Sequence, residues 1–317
     1  MNHTKINRRR FMICAALAPA AASAAAEDGS PPPASTSPNP MPAPQGHMPM
    51  GKIGGVQFSR LMLGGNLVAG YAHSRDLAYV AELMKRYNTE SRILQTLEMA
   101  ESHGINAINL SIWDNVSFLQ QHWRNGGKMK LIAQALPSPD LDQFKKAVDI
   151  GACAVHLQGH GAEQLMEAGD MDAIAKIMAY VKRQKVLAGV AAHSLEVIQR
   201  CEAIKLDCDF YQKTLHTHNY PTAPKPGEAG YLGQYDNSWC KDPREVVKVM
   251  DGVAKPWIAF KVMAAGAISP KHAFPYAFNN GADFILAGMF DWQIAEDVAV
   301  AKAAFADAHT KRERPWA

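Results

Sequence analysis

Eight short apolar stretches, each running out into a polar residue and most followed by a helix-like pattern, constrain this 317-residue chain more than any other feature. They cover residues 61–66, 105–110, 129–136, 152–158, 186–193, 208–215, 256–263 and 283–289. Amphipathic segments lie between them at 90–103, 141–150, 171–183, 195–204, 243–253 and 270–280. Short apolar runs alternating with helical patterns predict parallel strands with crossover helices. Eight such units predict an α/β fold, a closed (β/α)8 TIM barrel, an architecture that takes about 250 residues. Chemistry in that fold sits at the C-terminal ends of the strands. The expected mouth is therefore Asn66, Asn109, Gln134, His156, Gln158, His160, His193, Lys213, His216, His218, Lys261 and Asp291.

The N-terminus reads as an address. Arg8-Arg9-Arg10-Phe11 leads into an alanine-rich apolar run closed by small residues, the pattern of a twin-arginine signal peptide over residues 1–26. The expected partner during export is the twin-arginine translocase, and the expected destination is the periplasm. The apolar run is too short for a stable membrane span. Residues 27–50, rich in Pro, Ser and Ala, cannot bury enough apolar surface to offset ordering and are expected to form a disordered linker. The barrel then takes 51–317. The formal charge of +3 includes the arginine run, and no basic stripe with interleaved aromatics appears, so nucleic acid is not an expected partner. Cys153, Cys201, Cys208 and Cys240 form no C-x-x-C pair and read as free core thiols.

Two connections exceed the short loops usual after barrel strands: 67–87 and 216–242. Both are expected to act as lids or substrate walls. Tyr220, Tyr231, Tyr235 and Trp239 in the second would offer flat surfaces of the kind that stack on sugar rings.

Several segments, in order, resemble the aldo-keto reductase family. Residues 54–65 resemble its opening hairpin and first strand, and His103–Asn109 its approach to the second strand's tip. Val155–Gly161 (V-H-L-Q-G-H-G) is similar to its fourth-strand segment, and Gly189–Ser194 (G-V-A-A-H-S) to its fifth. Residues 265–268 and 288–296 resemble its cofactor-phosphate region, which implies NAD(P) with Gly266, Gly288, Gln293 and Glu296 as cofactor-binding residues. The family's catalytic Asp, Tyr, Lys and His map onto Asn109, Asp114, Gln134 and His160, so only the histidine is retained. A basic side chain to grip a 2′-phosphate is not evident.

A histidine-rich mouth replaces the tetrad. Imidazole suits divalent transition metals, and three protein ligands plus water is a common catalytic arrangement. His156, His216, His218 and Asp291 are the expected metal ligands, with His160 and His193 as catalytic groups that share in or adjoin the site. Hydrogen-bonding histidines with no metal are the alternative. Lys213 and Lys261, near the tips of the sixth and seventh strands, are candidate Schiff-base or oxyanion-stabilising groups. Asn66, Asn109, Gln134, Gln158 and Gln212, with Tyr220 and Trp239, are expected to bind the hydroxyls and rings of a small-molecule substrate.

Three functions follow from these residues. The first is a lyase, isomerase or hydrolase acting on a sugar or other polyhydroxylated carbonyl compound. The second is an NAD(P)-dependent oxidoreductase with a rebuilt acid group. The third is a binding protein on a reductase-like scaffold.

Overall fold

The computed structural model describes residues 47–225 and 237–309. The signal, the linker as far as residue 46, and Tyr231 and Tyr235 lie outside the described residues. A hairpin of β1 (Met50–Ile53) and β2 (Val56–Ser59) comes first. The barrel strands follow as β3 (Leu61–Gly64), β4 (Ala107–Ser111), β5 (Lys130–Ala135), β6 (Ala154–Leu157), β7 (Leu187–Ala192), β8 (Phe210–Thr214), β9 (Trp257–Phe260) and β10 (Phe284–Ala287). All eight are parallel and close in chain order, β10 pairing with β3. Seven lie inside one of the eight apolar stretches, and β4 runs one residue beyond its stretch, to Ser111.

The hairpin turns at Gly54 and Gly55, whose φ values of 51° and 87° suit a two-residue primed turn that side chains resist. Ile53 and Phe58 from this hairpin join Met62, Ala107, Ile132, Ala154, Phe210, Ile258 and Phe284 in one buried cluster, so the hairpin plugs the lower end of the barrel. Phe210 fits there because β7 carries glycine opposite it. A Cβ on Gly189 would lie 2.3 Å from the Phe210 ring.

Side-chain alternation then dictates what lies above this apolar floor. Asn109 stands two residues on from Ala107, Gln134 from Ile132, His156 from Ala154 and Gln212 from Phe210. The same alternation sends Leu63, Ile108, Leu131, Val155, Val190 and Tyr211 outward, into the larger cluster shared with the surrounding helices.

The helices start where capping chemistry permits. Thr89, Asp170, Ser194 and Asp242 each accept a backbone N–H of the first turn. The connection expected as a loop at 67–87 holds two helices instead, Asn66–Ala69 and Tyr79–Tyr87. The second has an i,i+4 ion pair, Glu82 with Arg86, and packs Met84 inward. Its exposed Tyr79 and Leu83 obscure the helical stripe in the sequence. No helix among the described residues is long and apolar enough to cross a membrane.

Candidate active site

Above the apolar floor lies a polar layer. The Asn109 amide meets His156 Nε2 at 2.7 Å, and His156 Nδ1 faces the Leu157 carbonyl at 3.3 Å. An amide donor on Nε2 leaves the proton on Nδ1, and burial pushes this imidazole down to about 4, so it is neutral. Gln134 donates to Ser111 Oγ at 3.1 Å. Gln212 Oε1 is buried and has no partner among the described residues. Of the expected hydroxyl-binding amides, Asn109, Gln134 and Gln212 therefore sit in or beneath the mouth. Gln158 caps the Gly159–Glu167 helix, accepting from Gly161 N at 2.9 Å.

Trp239 is the centre of the mouth, and its backbone is clamped on both sides. Its N–H donates to His216 Nε2 at 2.9 Å, and its carbonyl accepts from Thr214 Oγ1 at 2.9 Å. His216 Nδ1 donates to the Thr217 carbonyl at 3.0 Å, so both ring nitrogens are engaged by backbone. Burial pushes His216 down to about 4 and keeps it in this neutral tautomer. Lys213 is fully buried and completes the clamp. Its ammonium donates to the His193 carbonyl at 2.8 Å, the Thr214 carbonyl at 3.1 Å and Thr214 Oγ1 at 2.6 Å. His218 Nε2 donates to the Cys240 carbonyl at 2.6 Å. His216, His218 and Lys213 thus hold the returning end of the long loop.

Against the indole stand two histidines and a carboxylate. The His193 and His160 rings lie 4.6 and 5.8 Å from Trp239. Glu163 Oε2 lies 3.2 Å from His160 Nδ1 and 3.4 Å from His193 Nδ1. Glu163 Oε1 accepts the backbone N–H groups of His193 and Ser194, both at 2.7 Å. Burial drives the Glu163 carboxyl upward, but the His193 imidazole and these N–H groups outweigh it and hold it below its ordinary value. Burial pushes His193 down to about 4 against the pull of Glu163. The pair is a carboxylate beside a neutral imidazole.

Lys261 and His73 also adjoin the indole. The Lys261 ammonium lies 3.9 Å from the centre of the Trp239 ring, a cation–π contact, and 2.9 Å from His73 Nε2. Asn66 Nδ2 approaches the same nitrogen at 3.3 Å. Lys261 itself has φ 56°, and Ala264 and Ala265 just beyond it have φ 46° and 57°. Three non-glycine residues in the left-handed region, directly after β9, concentrate strain of about 1 kcal/mol or more each at the mouth.

A cleft of about 290 Å³ lies at the tip of β4, includes Val68, Ile93, Ser111, Asp114, Asn115 and Phe118 in its lining, and shares no lining residue with the cluster around Trp239. Asp114, which stands where the resemblance places the catalytic tyrosine, accepts from Tyr71 at 2.8 Å, and Trp113 Nε1 donates to that phenol at 3.2 Å.

The expected ligands His156, His216, His218 and Asp291 are not brought together. Asp291 accepts from Tyr87 at 2.6 Å and pairs with Arg92 at 2.9 Å. The group with three ligating atoms within 4.8 Å of one another, among the described residues, is His160, Glu163 and His193. Tyr220 is buried beside His216, with its hydroxyl on the Asn237 carbonyl at 3.3 Å. Gln293 accepts Phe290 N at 3.0 Å, and Glu296 pairs with Lys271 at 2.9 Å. Gly266 has φ 92° and open space around it, while a Cβ on Gly288 would crowd Leu67. Glu163 and His73 are the residues the sequence reading missed. Glu163 carried a signal: it lies three residues after His160, and i,i+3 positions share a helix face once the helix is known to begin at Gly159. His73 carried none, since a loop has no periodicity.

No family model and no curated protein match the chain. Its fold is similar to two solved structures, each described as an aldo-keto reductase from Pseudomonas aeruginosa. They are 16% and 17% identical over 83% of this chain and 96% of theirs, with TM-scores of 0.53 and 0.54. At that identity the likeness is one of fold, an aldo-keto-reductase-like (β/α)8 barrel.

Proposed function

Taking an aldo-keto-reductase-like barrel as the scaffold, we propose that the chain is an enzyme that moves protons on a small polyhydroxylated carbonyl compound such as a sugar, as a lyase, isomerase or hydrolase. One observation carries this reading: a carboxylate-backed imidazole pair and a lysine–histidine pair gather around a single indole. His193, neutral and oriented by Glu163, is placed to take a proton from a substrate carbon or hydroxyl. Lys261, held by the Trp239 face and His73, is placed to stabilise the oxyanion that develops. Trp239 is itself buried among these groups and holds them in place, and Asn66 offers an amide to the substrate's hydroxyls.

The residues present do not fit the nicotinamide chemistry that the resemblance implies. Where that chemistry needs a charged Asp and Lys around a tyrosine, Asn109 and Gln134 are neutral amides engaged with His156 and Ser111. Gln293 is spent on a backbone N–H, and Glu296 is an anion where a phosphate would be held. No step is therefore routed through NAD(P). Export by the twin-arginine route to a periplasm is part of the same proposal and rests on the Arg8–Phe11 pattern alone.

The test is solvent isotope exchange. Aldoses, ketoses and keto-sugars incubated with wild-type protein in D2O should gain deuterium beside the carbonyl, or eliminate or isomerise. His193→Ala should abolish the reaction with the fold retained. A wild-type protein that exchanges and converts nothing across the panel refutes the reading.

A further inference from the structure

We propose that His160, Glu163 and His193 form a binding site for one divalent first-row transition ion, zinc foremost, set at the mouth between β6 and β7. The proposal goes beyond the proton-transfer reading, since a metal-bound His193 would act as ligand and not as base, and it does not depend on that reading, because ion binding is measured without turnover.

Three features of the geometry carry it. The first is spacing. Tetrahedral zinc with bonds near 2.0–2.1 Å to nitrogen and oxygen holds its ligand atoms about 3.3–3.4 Å apart. The two edges that Glu163 Oε2 makes here are 3.2 Å to His160 Nδ1 and 3.4 Å to His193 Nδ1. All three ligating atoms lie within 4.8 Å of one another.

The second feature is the donor set. Two imidazoles and one carboxylate are a recurrent catalytic set for zinc, with the fourth position left for water or substrate. The same set suits iron(II). Both histidines turn Nδ1 to the Glu163 carboxylate, His160 to Oε2 at 3.2 Å and His193 to both oxygens, at 3.3 Å from Oε1 and 3.4 Å from Oε2.

The third feature is the support behind the ligands. Glu163 Oε1 is fixed by the N–H groups of His193 and Ser194, which leaves Oε2 as the free lone-pair face. The His193 carbonyl is gripped by Lys213 at 2.8 Å. Outer hydrogen bonds of this kind orient metal ligands. His160, by contrast, has a side chain 56% exposed, so an ion can enter from solvent without opening the barrel.

An ion here would lie near Trp239, against which the Lys261 ammonium also packs. It would supply Lewis acidity to a bound carbonyl or hydroxyl.

The experiment uses the whole chain, stripped with chelator and then titrated with Co²⁺ and Zn²⁺. The expected result is one equivalent bound, with the intense visible absorption of four-coordinate cobalt, displaced by zinc. His160→Ala, at an exposed position that leaves folding intact, and Glu163→Gln, which keeps the acceptor for both backbone N–H groups, should each weaken binding at least tenfold. Circular dichroism checks the fold of each variant. Wild-type protein that binds neither ion overturns the proposal. So does unchanged binding by both variants, which would put the ion elsewhere. Deuterium exchange by a protein that binds no ion would overturn the metal and keep the function; an ion at this site with no exchange would do the reverse.

Discussion

Lys213→Met tests whether Lys213 is a buried clamp rather than a nucleophile. Its ammonium is fully buried and holds three oxygens, none of them a carboxylate. Burial pushes it from 10.5 down to about 8. That displacement corresponds to about 3 kcal/mol by which the native state favours the neutral amine over the unfolded chain. A depressed lysine costs stability wherever the unfolded chain holds the proton more tightly. The cost is full below about pH 8 and disappears as pH rises past 10.5. Between pH 7 and 10 the wild type should recover about 2.5 kcal/mol from this group, and Lys213→Met recovers nothing. The buried cysteines and tyrosines also titrate in this range and are common to both proteins; Cys240, whose thiol Lys213 pulls down, is replaced by alanine in both so that the difference isolates the lysine. Urea unfolding of both proteins at the two pH values measures it. The stability of wild type minus that of the variant should rise by about 2.5 kcal/mol from pH 7 to 10. A difference that stays constant, or falls, refutes the buried-cation account.

Other consequences follow from the same geometry. His156, His193 and His216 are each held neutral near 4, so each stabilises the fold above its unfolded value of about 6.5. Stability should therefore fall steeply from pH 6.5 towards 4, and equilibrium unfolding across that range should show His216→Asn losing part of the slope. His216→Ala leaves the Trp239 N–H without its partner and should cost about 1–3 kcal/mol, read as a lowered melting temperature and altered tryptophan emission. Gly189→Ala drives a Cβ to 2.3 Å from the Phe210 ring and should destabilise by about 2–4 kcal/mol, read from the urea midpoint. Asp291→Asn weakens the pair with Arg92 but should leave bound cobalt unchanged, since Asp291 stands apart from the three ligands.

Much of the barrel was legible because its signal is local. Eight apolar runs of strand length with helices between them admit few other folds, and period-two alternation placed Asn109, Gln134, His156 and Gln212 inside. The site was legible as a list of strand tips but not as partnerships. His216 and His218 look like ligands in sequence, yet the loop that returns at Trp239 and Cys240 brings backbone atoms to their nitrogens. Asp291 looks free until Tyr87 and Arg92 arrive from two distant helices. His160 reads as a strand tip but lies in the first turn of a helix, and that one change of element makes Glu163 its neighbour. Long-range return of a loop and the pairing of distant charges leave no periodic trace.

The claim that matters most is that the Glu163–His193 pair and Lys261, gathered at Trp239, act together on one substrate. Its direct test is kcat/KM of Glu163→Gln and Lys261→Met on whichever sugar or keto-sugar undergoes exchange. The account predicts that each variant loses at least a hundredfold, about 2.7 kcal/mol of transition-state stabilisation, with melting temperature nearly unchanged. Full activity in either variant would show that the two groups do not act together.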